Sequence, residues 1–146
     1  MVDNSEREKA VLNYLQAYAT DNNILCKFFY AGPRDPSLVF KVSRRIGINM
    51  NWYNQDEIPF SLGHEIGHMM IDEPDVRSEF TGYKVEVGEE KAANIFSLHL
   101  LYDYSCRRGD DFQEPGPFMQ AYEIPFDLEE ETCKMFSEYL NYTAVC

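Results

Sequence analysis

Phe60-Ser61-Leu62-Gly63-His64-Glu65-Ile66-Gly67-His68 is the stretch on which the reading of this chain turns. A helix advances about 100° per residue, so positions four apart lie on nearly the same face. On a helix, His64 and His68 therefore aim two imidazole nitrogens at one point, with Glu65 one step round from His64. Two nitrogen ligands and an adjacent carboxylate that can take a proton from water are what a zinc hydrolase requires. The chain has 3 histidines and two of them occupy this pattern, an arrangement chance placement rarely produces. The plainer alternative is a helix whose two histidines are simply hydrogen-bonded.

Gly63 and Gly67 argue against that alternative. Each helix-interior glycine costs roughly 1 kcal/mol relative to alanine. They are four apart and share a face. A face without side chains lets another backbone come close, so it is expected to pack tightly against the sheet or a second helix and fix the histidines.

A catalytic zinc normally takes three protein ligands. Downstream, Glu89 to Asp103 reads as a helix whose inward stripe is Ala92, Ala93, Phe96, Leu100 and Leu101. Glu90 lies at the edge of that stripe and Glu89 falls within it. An inward carboxylate must be paired or metal-bound, because burying it alone costs several kcal/mol. Periodicity does not choose between the two glutamates. His99 falls roughly opposite Glu90 and reads as a part-exposed helix residue. Asn94, one turn beyond Glu90, reads either as a partner that orients it or as an exposed helix asparagine.

Upstream, a helix is expected from about Ser5 to Ala19, opened by a Ser5–Glu8 capping box. Three strand-like runs follow: Ile24 to Tyr30, Leu38 to Val42, and Ile46 to Trp52. In the last, Ile48, Met50 and Trp52 alternate against Asn49 and Asn51, as in a strand with one wet face. Asp56 is a candidate cap for the histidine helix, with Pro59 in its first turn, and the helix is expected to run to about Ile71. Glu73 to Gly88 reads as loop, as does Arg107 to Asp111. Phe118 to Tyr122 reads as a short helix and Leu128 to Tyr142 as a final one. Helix, small sheet, then helices make an α+β domain, expected to be a single domain over 1–146.

The 146 residues carry 13 Lys+Arg against 25 Asp+Glu, a net charge of −12. Such a chain repels phosphate backbones and anionic membrane surfaces, so no direct nucleic-acid or membrane partner is expected. Its apolar runs are too short to cross a bilayer, and the charged start is not a signal peptide. The 4 cysteines form no Cys-x-x-Cys pair and are expected as free thiols of a cytoplasmic protein.

Phe60 to His68 resembles the active-site helix of the ImmA/IrrE metallopeptidases. Glu90-Lys91-Ala92-Ala93-Asn94-Ile95-Phe96-Ser97-Leu98-His99-Leu100-Leu101 is similar to that family's Glu-x-x-Ala-Asn-x-Phe-Ala-x-x-Leu-Leu element. The match spans about fifty residues. It departs at Ser97, where alanine is usual, and at Tyr102-Asp103, where Met-Pro is common. The resemblance implies a compact zincin-like domain of the gluzincin kind, with His64, His68 and Glu90 holding one Zn2+ and Glu65 as the catalytic base. It also implies a cytosolic peptidase that cuts a DNA-binding repressor of a phage or mobile element. A non-proteolytic zinc-containing regulatory or antitoxin-like binding module is the alternative. Tyr83, Tyr102 and His99 are candidate donors to an oxyanion, none of them placed in the site by the sequence.

Overall fold

A computed structural model describes residues 4–71 and 88–140. Within them the order is α1 (Asn4–Asp21), β1 (Leu25–Phe29), β2 (Leu38–Phe40), β3 (Arg45–Asn49), a 3-10 turn (Gln55–Glu57), α2 (Ile58–Met70), α3 (Glu89–Arg108), α4 (Pro115–Ala121), a second 3-10 turn (Phe126–Leu128) and α5 (Glu129–Leu140). This is an α+β fold. The expected loop from Glu73 to Gly88, the Ser5 cap, Tyr83 and the end of the last helix at Tyr142 fall wholly or mainly outside the described residues.

The sheet runs β1-β3-β2, with β1 parallel and β2 antiparallel to β3. Cys26, Ile46, Ile48 and Val39 point inward, where Leu15, Ile24, Leu62, Ile66, Leu98 and Leu101 join the isoleucines in the core. The β2–β3 turn holds Arg44 at φ 53, in the left-handed region. Its guanidinium donates to the carbonyls of Asn22 at 2.7 Å and Asn23 at 3.2 Å, which ties that turn to the end of α1.

The third strand is shorter than its alternation predicts and stops at Asn49. That residue, expected on a wet face, is 1% exposed. Its side chain accepts from the Ala31 and Asn51 amides and donates to the Gly32 and Asp35 carbonyls, so it knits the loop after β1 over the strand end. Every polar site on the amide is used, which is the condition for burying it. The entry to α2 also differs. Asn54, not Asp56, is the capping side chain; it accepts from the Asp56 amide and opens the 3-10 turn before α2. Pro59 stands in the first turn of α2, as expected.

Arg107 and Arg108 extend α3 beyond the predicted end. Cations suit the last turn of a helix, and Gly109 at φ 88 supplies the left-handed cap that ends it. Among the described residues no helix is long and apolar enough to cross a membrane.

The tightest packing is α2 against α3. A Cβ on Gly67 would sit 2.8 Å from the Ala93 carbonyl oxygen and 3.0 Å from Ala93 Cα. One on Gly63 would meet Ser97 Oγ at 2.2 Å. Ser97 is fully buried and donates to the Phe60 carbonyl at 2.8 Å across the same contact. The two bare positions are what let α3 approach. Gly67→Ala is therefore expected to lose about 1–3 kcal/mol in urea unfolding, because overpacking against backbone outweighs the propensity gain. Unchanged stability would show that this face has room.

Candidate metal centre

α2 and the first turn of α3 bring three ligand atoms together. His64 Nε2 lies 3.0 Å from His68 Nε2, and the Glu90 carboxylate lies 3.2 Å from the first and 2.7 Å from the second. Among the described residues these three form a group of metal-ligating type whose ligand atoms all lie within 4.8 Å of one another. Four N or O ligands at about 2.0–2.2 Å from a tetrahedral zinc stand about 3.3–3.5 Å apart. The observed spacings of 2.7–3.2 Å reach that as the groups part by about 0.1–0.8 Å, so the residues fit the ion. Glu90, not Glu89, is the acid at the junction.

The imidazoles are aimed from behind. His64 Nδ1 lies 2.6 Å from Asn94 Oδ1. With an amide oxygen as partner, Nδ1 carries the proton and Nε2 presents its lone pair to the junction. The His64 lone pair, the Glu90 carboxylate and His68 Nε2 thus meet at one point, a donor set that could hold a cation. Asn94, read as a partner of Glu90 or an exposed asparagine, reaches the histidine instead, because one turn past Glu90 faces α2 across the close α2–α3 contact.

Glu89 is used as well. Its Oε1 takes an ion pair from Lys41 Nζ at 2.7 Å, and its Oε2 lies 3.8 Å from His68 Nδ1. Lys41, just past β2, thereby ties the sheet to the first turn of α3. Burial above all, then the His64 charge, lowers the pKa of His68, with Glu90 and Glu89 opposing. That favours the neutral imidazole a metal requires.

Glu65 is part-buried beside the junction. Burial raises its carboxyl pKa; Glu90 adds to the rise and His64 opposes it. The side chain lines a cavity of about 190 Å³ with Pro36, Ser37, Ile48, Trp52 and Ser61. The triad's neighbour thus faces open, mainly apolar space. A larger cavity of about 440 Å³ lies elsewhere, between α1, α3 and α4, and contains none of the triad.

Of the oxyanion candidates, the two among the described residues pair with Tyr139 and not with the junction. Tyr102 is buried and stacked on Tyr139, ring centroids 4.9 Å apart. His99 Nδ1 lies 3.0 Å from the Tyr139 hydroxyl. Burial pushes the His99 pKa down to about 4. The unfolded chain then binds a proton below about pH 6.5 that the folded chain refuses until about pH 4, so stability is full above 6.5 and falls across that window. His99→Gln is expected to flatten this acid limb by about 3 kcal/mol. Parallel pH–stability curves for the two proteins would count against an imidazole held neutral by the fold.

Cys26 and Cys106 carry free thiols, as expected. Cys133 does not; it is disulfide-bonded, against the expectation of a free thiol.

No protein-family model matches the chain, and no curated protein matches it significantly.

Proposed function

We propose that this chain is a zinc-dependent endopeptidase that hydrolyses a peptide bond in a protein partner. The observation that carries the reading is the meeting of His64 Nε2, His68 Nε2 and the Glu90 carboxylate within 3.2 Å of one another, next to a base on a cavity. Zinc, when bound there, lowers the pKa of water to roughly 7 and polarises a carbonyl. The chain's own groups do the rest. Asn94 holds His64 in the ligating tautomer. Glu65 takes the proton of the attacking water and returns it to the leaving amine, and its raised pKa suits a group that must do both. The cavity over Ser61 and Trp52 offers an apolar side chain of the substrate a place beside the reacting bond. A base adjacent to the ligands argues against a purely structural metal, whose site is closed by four protein ligands.

The resemblance of Phe60–His68 and Glu90–Leu101 to the ImmA/IrrE metallopeptidases supports a cytoplasmic enzyme whose substrate is a DNA-binding repressor of a phage or mobile element. The net charge of −12 favours approach of a basic partner. The test is incubation of the zinc-loaded chain with the repressor encoded nearest its own gene. Two discrete fragments, absent after chelation, are expected. A stable complex with the repressor intact would instead make the chain a non-proteolytic regulatory or antitoxin-like module.

A further inference from the structure

Among the described residues the outer face of the sheet exposes apolar side chains with two cations between them. The strand register places Leu25, Arg45 and Phe40 in one row and Lys27, Gly47 and Leu38 in the next. Leu25 and Leu38 are each 48% exposed and Phe40 54%. A Cβ at Gly47 would lie 3.1 Å from the Phe29 ring, so the glycine lets that ring lie along the face, with Leu38 on the other side. Contiguous exposed apolar side chains, rimmed by polar ones, are the composition of an interaction surface.

Charge says what it fits. Residues 24–52 hold five cations (Lys27, Arg34, Lys41, Arg44, Arg45) against the single anion Asp35, a net +4 in a chain of −12. Asp35 is turned onto its own loop, accepting from the Gly32 amide at 2.8 Å, and Lys41 is paired with Glu89. Lys27 and Arg45 stand exposed on the apolar rows, with no anionic partner among the described residues.

We propose that this face docks a protein segment carrying apolar and acidic side chains, separate from the metal centre and independent of whether that centre cuts. Leucine and phenylalanine from the segment would cover Leu25, Leu38, Phe29 and Phe40, and carboxylates would meet Lys27 and Arg45. The rest of the chain carries −16, by subtraction of +4 from −12, which disfavours a nucleic acid. A continuous polyanion would lie within a Debye length of that charge, whereas a short segment with two or three carboxylates need not.

The experiment measures fluorescence anisotropy of the full chain with three labelled probes: a short peptide of leucine, phenylalanine and glutamate, the same peptide with lysine for glutamate, and a single-stranded oligonucleotide. The acidic peptide is expected to bind about ten-fold more tightly than the basic one at low salt and to weaken as salt rises. Lys27→Glu with Arg45→Glu should reverse that preference. Phe40→Ser should weaken binding about ten-fold with circular dichroism unchanged. Equal binding of both peptides, a preference that survives charge reversal, tighter binding of the oligonucleotide, or self-association abolished by Phe40→Ser would each overturn the proposal.

Discussion

Glu90→Ala is expected to weaken zinc binding by well over 100-fold, whereas Glu89→Ala should cost about ten-fold or less. The difference follows from where the two carboxylates end. Glu90 sits 2.7 Å from His68 Nε2 and 3.2 Å from His64 Nε2, at the junction itself. Glu89 approaches only the far nitrogen of His68, at 3.8 Å, and spends its other oxygen on Lys41. Removing a group that only orients a ligand typically costs 10–100-fold in affinity, and removing a ligand costs more. Asn94→Ala should fall in the intermediate range, because its 2.6 Å contact fixes the His64 tautomer without touching the ion. Competition with a chromogenic chelator at constant pH reads all three. Equal losses for Glu89→Ala and Glu90→Ala would mean that the pair shares the ligand role.

Glu65→Gln should leave zinc affinity within about three-fold of wild type and lower the rate of cleavage by about 10²–10⁴-fold. Glutamine keeps the volume and the cavity wall that the side chain shares with Ser61 and Trp52. It removes only the ability to accept a proton. Because Glu65 is not a member of the ligand group, the effect belongs in turnover and not in metal loading. Single-turnover cleavage by equally loaded proteins separates the two. Cleavage undiminished in Glu65→Gln would refute the general-base role, and lost zinc would place the carboxyl among the ligands.

The site was legible where its chemistry is local. Two histidines four apart share a helix face whatever surrounds them, and Gly63 and Gly67 were conspicuous because each weakens the helix that carries those histidines. Glu89 and Glu90 were not separable, since adjacent positions at the edge of an apolar stripe differ by only about 100°. The fold uses both, one at the junction and one behind it. Lys41 left no trace in the pattern; its partner is 48 residues away, and only the packing of the β2–β3 turn against α3 joins them. Asn49 was misread because alternation assumes open solvent on the polar face, and the loop over residues 31–37 closes it. Sheet order was not legible either, as apolar patterning says which face is buried and not which strand lies between the other two. Tyr139 stands at helical spacing from the buried Met135 and Phe136 yet is 52% exposed, stacked on Tyr102.

X-ray absorption at the zinc edge of the loaded wild-type chain interrogates the proposed coordination shell with the fewest intervening assumptions. One zinc per chain is expected, with scattering from two imidazoles and oxygen at about 2.0–2.1 Å, and one imidazole fewer in His68→Ala. A sulfur shell near 2.3 Å, or a spectrum that His68→Ala leaves unchanged, would place the metal elsewhere and contradict the hydrolase account.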